Sequence, residues 1–120
     1  MRTKKYIDKA PTEDVEQKIV ALYLALKGYL YCASAGGVRT SIKQAIKMKA
    51  TGYVSGVPDM AIYEPRGNYH GLFIELKRSK GGTTSPAQKE WIEQLNKRGY
   101  KAIVCKGAYE AIKAIEDYFG

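Results

Sequence analysis

Hydrophobic residues follow two kinds of spacing along the chain, and the two kinds alternate. Spacing of three to four residues, typical of amphipathic helices, occurs over residues 12–27, 39–50, 85–99 and 108–119. Short apolar or alternating runs, typical of strands, occur over residues 29–33, 59–63, 72–77 and 101–105. The pattern therefore predicts four helices and four strands.

Residues at the ends of these segments support the same elements. Thr12 is a plausible N-cap and Gly28 a plausible terminator of the first helix. Ser85 followed by Pro86, with Gln88 three residues after the serine, is a capping-box sequence for the third helix. Residues 64–68 are rich in turn formers, so the second and third strands should form an antiparallel hairpin.

The order of the elements predicts an α/β fold in which helices flank a small mixed β-sheet. A chain of 120 residues has room for one hydrophobic core, and no repeat or linker divides it. Residues 1–11 are basic and end at a proline, which suggests an N-terminal arm. We therefore expect one domain over residues 12–120.

Positive charge is concentrated in stretches that contain no acidic residue. The net charge is +8, and neither residues 17–58 nor residues 76–89 include an Asp or Glu. Such clusters in a short chain favour a polyanionic partner, most commonly nucleic acid, contacted through its phosphates. The residues that we assign to DNA contact are Arg39, Lys43, Lys47, Lys49, Arg78 and Lys80.

Composition excludes several other classes. No apolar run approaches the roughly 20 residues of a membrane span, and no secretory signal is present. Cys32 and Cys105 lack a CxxC partner and His70 is the only histidine, so a zinc site is nearly impossible and a reducing, cytoplasmic setting is expected. Both cysteines should be buried small hydrophobes. Any metal would be held by carboxylates, which favours Mg²⁺.

Two carboxylates and a lysine should meet at one end of the predicted hairpin. Alternation over residues 72–77 places Glu75 and Lys77 on the same face of their strand, where helices would partly bury them. Asp59 begins the partner strand, and the start of one hairpin strand lies opposite the end of the other. Buried charges are costly unless they are paired or bind a metal, so these three residues form a candidate metal site.

These residues resemble the core of PD-(D/E)XK nucleases, and within that superfamily the chain is similar to the virus-type replication-repair nuclease family, VRR-NUC. The resemblance covers about residues 13–105. Three segments carry it, and their order and spacing along the chain make it specific. They are Gly56-Val57-Pro58-Asp59, Phe73-Ile74-Glu75-Leu76-Lys77 and Ser85-Pro86-Ala87-Gln88-Lys89-Glu90-Trp91, with Leu95 and Gly99 after them.

The resemblance implies a metal site built on the hairpin and the first helix. Asp59, Glu75 and the Leu76 carbonyl would ligate Mg²⁺, and Mn²⁺ should also support activity. A glutamate of the first helix would complete the site, directly or through water. Glu16 is the favoured candidate because it falls within an apolar arc of the helix, and Glu13 is the second candidate. The residues of that arc are Val15, Ile19, Val20, Leu22, Tyr23 and Leu26.

The same resemblance implies catalytic roles for two further residues. Lys77 would orient or deprotonate the attacking water or stabilise the developing charge, and the sequence leaves these roles open. Gln88 would support the active site in addition to its role in the capping box.

The resemblance thus implies a metal-dependent DNA endonuclease, cytoplasmic in a bacterial or phage-infected cell. Similar stand-alone members are associated with four-way junctions, whose two-fold symmetry suits a homodimer. The sequence leaves three alternatives to this function open: a sequence-specific or nicking endonuclease of the same fold, a non-catalytic DNA-binding module, and a basic RNA-binding protein.

Overall fold

The computed structural model describes residues 12–34 and 41–120, and within them the helices and strands follow the predicted order. The predicted basic arm, residues 1–11, and the DNA-contact candidate Arg39 lie outside the described residues. The elements are α1 (Glu13–Lys27), β1 (Tyr31–Ala33), α2 (Ile42–Ala50), β2 (Met60–Ile62), β3 (Leu72–Lys77), α3 (Pro86–Lys97), β4 (Lys101–Lys106) and α4 (Ala108–Phe119).

The four strands form one mixed sheet in the order β1-β2-β3-β4. β2 and β3 pair in antiparallel fashion, as the turn-rich segment between them predicts, and β2 is also antiparallel to β1. β4 runs parallel to β3 and is reached through α3, because a parallel neighbour requires a crossover connection. The α/β class and the mixed sheet are thereby confirmed.

Alternation along β3 assigns the two faces of the sheet. Leu72, Ile74 and Leu76 belong to the main apolar core, which they share with residues of α1 and α4. Glu75 and Lys77 point to the opposite face, where they contact α3 through Gln88. The sheet is therefore covered on both faces, and the two charged residues of β3 are buried beneath a helix.

The helix ends follow the capping signals in the sequence. The side chain of Thr12 caps α1, and Gly28 ends that helix in the left-handed conformation. Ser85 and Gln88 form both hydrogen bonds of the capping box at α3. Boundaries elsewhere differ slightly, since β1 begins at Tyr31, two residues later than expected, and β2 spans only Met60–Ile62.

The predicted apolar arc of α1 is wrong in part. The helix buries Glu16, Val20 and Leu24, whereas Val15, Ile19, Leu22 and Leu26 lie exposed on another side. Because α1 is apolar around most of its circumference, the sequence pattern alone could not indicate which side contacts the sheet.

The prediction for the cysteines is also only half right. Cys105 is buried, and burial raises the pKa of its thiol to about 11, which makes the thiol unreactive. Cys32 is exposed because it lies on β1, an edge strand of the sheet. Among the helices of residues 12–34 and 41–120, none has the length and apolar character needed to cross a membrane.

Candidate active site

Asp59 lies beside the end of β3, as the hairpin geometry predicts. The β2–β3 ladder ends at the pair Met60 and Ile74, so the next backbone groups of β3 have no strand partner on that side. The Leu76 backbone N–H fills this gap by donating to Asp59 Oδ2 at 2.8 Å. The aspartate side chain thus continues the sheet and is held next to Glu75.

A second hydrogen bond at the end of β3 indicates where the Leu76 carbonyl points. The Lys77 carbonyl accepts from Gly107 N–H at 2.8 Å on the β4 side of the strand. Peptide groups of successive residues in a strand point to opposite edges, so the Leu76 carbonyl points to the edge occupied by Asp59. This orientation is the one required of the backbone ligand that the family resemblance implies.

Glu75 is the most buried charged residue of the described chain, with 2% of its surface exposed. Its Oε2 accepts from Gln88 Nε2 at 3.0 Å and lies 3.2 Å from Lys77 Nζ. Its Oε1 is also buried but receives no hydrogen bond from any described residue. A buried carboxylate oxygen without a donor is costly, so this atom indicates a missing partner.

Electrostatics at Glu75 lead to the same conclusion. Burial, followed by the neighbouring Asp59 carboxylate, raises the pKa of Glu75 from 4.5 to about 7. Lys77 acts in the opposite direction and offsets only part of this effect. One lysine therefore compensates incompletely for two adjacent carboxylates, and a further positive charge would stabilise their ionised form.

Gln88 connects the cap of α3 to the two charged residues of β3. Its Oε1 accepts from Ser85 N–H at 2.9 Å and from Lys77 Nζ at 3.0 Å, while its Nε2 donates to Glu75. All three contacts use one amide, so the capping box fixes the amide and the amide orients Lys77 and Glu75. One amide thus completes the capping box and also contacts both charged residues of β3.

The loop before Asp59 is held tightly against α3. Gly56 has a φ of +99°, and a Cβ there would lie 2.8 Å from the carbonyl group of Ala87. Trp91 Nε1 donates to the Ser55 carbonyl at 3.1 Å and secures the same loop. The glycine and the tryptophan of the two motifs therefore serve a common purpose, which is to hold Asp59 at the N-terminal end of α3.

The three charged residues open into a cleft of about 290 Å³. Residues of α1, of the loop before β2, of β3 and of α3 line it. Four of them were not predicted from the sequence: Asp14, Gln17, Tyr53 and Ser55. Gln17 could have been found, since it lies one helical turn from Glu13. The lining residues are Glu13, Asp14, Gln17, Tyr53, Ser55, Gly56, Val57, Asp59, Glu75, Lys77, Ser85 and Gln88.

Glu16, the favoured glutamate of α1, is not among the lining residues of this cleft. It is buried, and its Oε1 accepts from Ala108 N–H at 3.1 Å in the first turn of α4. The N-cap of α4 is Gly107, which has no side chain to cap the helix, so Glu16 supplies the acceptor. The geometry thus favours the second candidate, Glu13, as the helical carboxylate of the cleft.

The described candidates for DNA contact lie on two segments near the cleft. Lys43, Lys47 and Lys49 are exposed on α2, a helix that buries no residue, and α2 leads into Tyr53 of the cleft. Arg78 and Lys80 directly follow Lys77 at the end of β3, and Lys80 is exposed.

The donor atoms suit a hard cation. In residues 12–34 and 41–120 no three His, Cys, Asp or Glu side chains lie close enough to form a metal cluster. The oxygen donors that would hold an ion here are the carboxylates of Asp59 and Glu75 together with the Leu76 carbonyl. Mg²⁺ prefers such oxygen ligands and keeps several waters, so one or two protein carboxylates are enough to hold it. The unpartnered Oε1 of Glu75 fits such an ion.

A mixed sheet with helices on both faces and a carboxylate pair beside a lysine at the end of one strand is the arrangement of the PD-(D/E)XK nucleases. Comparison with known proteins supports this assignment of the fold. The sequence profile of the VRR-NUC domain matches residues 7–109. This match covers most of the chain, which therefore belongs to the VRR-NUC family of nucleases.

Solved structures resemble this fold closely. One, titled "VRR_NUC domain protein", is 37% identical in sequence, with a TM-score of 0.79 over 92% of this chain and 89% of its own. Another, titled "VRR_NUC domain", is 26% identical, with a TM-score of 0.61 over 90% of this chain and 99% of its own. Among curated proteins, none matches the chain.

Proposed function

We propose that the protein is a Mg²⁺-dependent endonuclease that cleaves branched DNA as a homodimer. The observation that carries the metal dependence is the buried Glu75 Oε1, which receives no hydrogen bond from the described residues although it adjoins Asp59. A site that leaves one oxygen free beside a second carboxylate is suited to a divalent cation.

In this proposal Asp59, Glu75 and the Leu76 carbonyl hold the ion, and Glu13 of α1 acts through a bound water, because no three carboxylates of the described residues lie close enough to share one ion. Bound Mg²⁺ would supply a polarised phosphate and a water of lowered pKa. Lys77, oriented by Gln88, would hold a proton at Nζ and donate a hydrogen bond to the attacking water or to a phosphate oxygen. Mn²⁺ should substitute for Mg²⁺, because it accepts the same oxygen donors.

The described basic residues support DNA as the substrate without indicating its sequence. Contacts from α2 and from the segment after β3 would neutralise phosphates, and phosphate contacts fix position only. The assignment of Lys43, Lys47, Lys49, Arg78 and Lys80 to DNA binding, and of Arg39 beyond the described residues, remains part of the proposal. Specificity would then come from the shape of the DNA, and a four-way junction has the two-fold symmetry of a homodimer.

Cleavage of matched substrates tests this proposal. A four-way junction, a flap and a linear duplex of the same sequence are incubated with the protein in Mg²⁺, in Mn²⁺ and in EDTA. We expect cleavage only with metal, and a junction rate about tenfold or more above the duplex rate. Equal rates would identify an endonuclease without structural preference, and unique products on the duplex would identify a site-specific or nicking enzyme. Binding without cleavage would identify a non-catalytic module.

Gln88 should contribute to activity through the residues that it orients. Gln88→Ala removes the contacts to Lys77 and Glu75, and we expect cleavage to fall about 10- to 100-fold, as for other residues that orient metal ligands. Ser85→Ala removes only the serine's half of the capping box, so its rate should stay within about threefold of wild type despite a loss of about 1 kcal/mol in stability.

Single-turnover cleavage and thermal unfolding of both variants separate these effects. If Ser85→Ala loses as much activity as Gln88→Ala, the amide acts only by stabilising α3, and its proposed role in orienting the site is wrong.

A further inference from the structure

The exposed side of α1 carries a continuous line of aliphatic residues. Val15, Ile19, Leu22 and Leu26 are separated by four, three and four residues, so they form one stripe along the helix, with exposures of 47% to 78%. Single exposed hydrophobic residues are ordinary, but a contiguous stripe is typical of an interaction surface. The opposite side of α1 is already buried in the core through Val20 and Leu24. The helix is therefore apolar on two sides, and the protein's own core covers only one.

We propose that this stripe associates with the same stripe of a second copy, with the two α1 helices antiparallel about a two-fold axis. The inference adds a surface and an orientation to the homodimer of the proposed function, on which it rests. Its test does not depend on nuclease activity.

The spacing of the stripe is self-complementary. Because the intervals of four, three and four residues read the same in both directions, an antiparallel copy pairs Val15 with Leu26 and Ile19 with Leu22. The axis then passes midway between Ile19 and Leu22, and each residue of the stripe meets an aliphatic partner. Such reciprocity is the defining property of a two-fold interface.

Charge along α1 selects the antiparallel orientation. The first turn carries the exposed residues Glu13 and Asp14, and the last turn carries Lys27. An antiparallel pair places the acidic turn of each helix beside the basic turn of the other and opposes their dipoles. A parallel pair would bring like charges together at both ends.

The arrangement also has a consequence for the cleft. Glu13 and Asp14 line the cleft at the N-terminal end of α1. In an antiparallel pair of 15-residue helices, each about 22 Å long, the two clefts would lie towards opposite ends of the pair. Two sites related by a two-fold axis are what symmetric cleavage of a junction requires.

Sedimentation equilibrium of the full chain tests the surface. Leu22→Glu places a charge at the centre of the stripe, and we expect dimer affinity to fall on the order of 30-fold or more. Ile46→Glu, on α2, is the matched control, because Ile46 and Leu22 are almost equally exposed at 64% and 62%. That control should retain the wild-type affinity. Both side chains are exposed, so circular dichroism of both variants should match wild type.

Spin-label distances test the orientation. Labels are attached through Lys18→Cys and, separately, Ala25→Cys in a background with Cys32→Ser, since Cys105 is buried and Ala25 is exposed. In the antiparallel pair, equivalent labels are offset along the axis by about 8 Å at residue 18 and about 14 Å at residue 25. In a parallel pair the offset between equivalent labels would be close to zero at both positions.

The outcomes separate this inference from the nuclease proposal. A monomeric wild-type protein that cleaves DNA would overturn the dimer surface and the homodimer of the proposed function, and would leave metal-dependent cleavage standing. A dimer weakened by Leu22→Glu but inactive with every metal would do the reverse. Equal weakening by Leu22→Glu and Ile46→Glu would also overturn the assignment to α1.

Discussion

Replacing Glu75 with glutamine should lower DNA cleavage on the order of 10³-fold while DNA binding stays close to wild type. The change removes one of two carboxylates from the site without altering the volume of the side chain, and metal-assisted hydrolysis depends on that negative charge. Binding should persist because the basic residues proposed to contact phosphates lie on α2 and after β3. Single-turnover cleavage and fluorescence anisotropy with the same junction measure the two effects separately.

Glu116→Gln is the matched control for this variant. It makes the same change in charge at an exposed position of α4, and its cleavage rate should equal that of wild type. Wild-type cleavage by Glu75→Gln would remove the candidate site as the location of the chemistry. Equal losses in cleavage and binding would indicate that Glu75 supports the fold or the DNA surface instead.

In the absence of metal and at high pH, the Glu75→Gln variant should be more stable than the wild-type protein. The pKa of Glu75 is raised from 4.5 to about 7 in the folded protein, so folding favours the protonated carboxyl. Its contribution to stability is therefore fully present below pH 4.5 and is lost as pH rises through about 7. Above that pH the wild-type protein should be destabilised by up to about 3 kcal/mol relative to the glutamine variant. Thermal unfolding in EDTA at pH 5 and pH 8 measures the difference.

Replacing Lys77 with methionine should be the second severe change, with cleavage lowered about 10²- to 10⁴-fold. Methionine keeps most of the aliphatic volume in this buried position but removes the ammonium group that pairs with Glu75 and donates to Gln88. Because Lys77 lowers the pKa of Glu75, its loss should raise that pKa further. The acidic limb of the pH–activity profile should therefore move to higher pH.

Lys97→Met provides the comparison for Lys77→Met. Lys97 forms an ion pair with Glu93 at the same 3.2 Å distance, but both side chains are more than half exposed. Exposed pairs contribute little, so this variant should retain its activity and its pH profile. A Lys77→Met protein with normal activity would show that Lys77 is only a structural partner of Glu75.

The elements around the site were predictable because their signals are local. The alternation over β3, the capping box of α3 and the periodicity of α4 each depend on residues within about four positions of one another. Leu72–Lys77 and Ala108–Phe119 were found with the predicted bounds. The approach of Asp59 to the end of β3 followed from the hairpin, since antiparallel pairing determines which strand ends are adjacent.

The choice between Glu13 and Glu16 was not predictable in this way. Both residues lie in the first turn of α1, and the apolar arc of the helix favoured Glu16. The N-terminus of α4, 92 residues away, attracts Glu16 instead, because the N-cap Gly107 has no side chain. Glu13 is then the residue that faces the cleft.

The sequence by itself determined on which strand or helix each candidate site residue lies. Alternation and hairpin geometry identified Asp59, Glu75 and Lys77 as candidates, and the resemblance to a known family added Gln88. Only the tertiary structure decided which side of α1 is buried, and that one oxygen of Glu75 receives no hydrogen bond from the described residues. The reason is physical: burial and hydrogen-bond satisfaction depend on groups that folding brings together from distant parts of the chain.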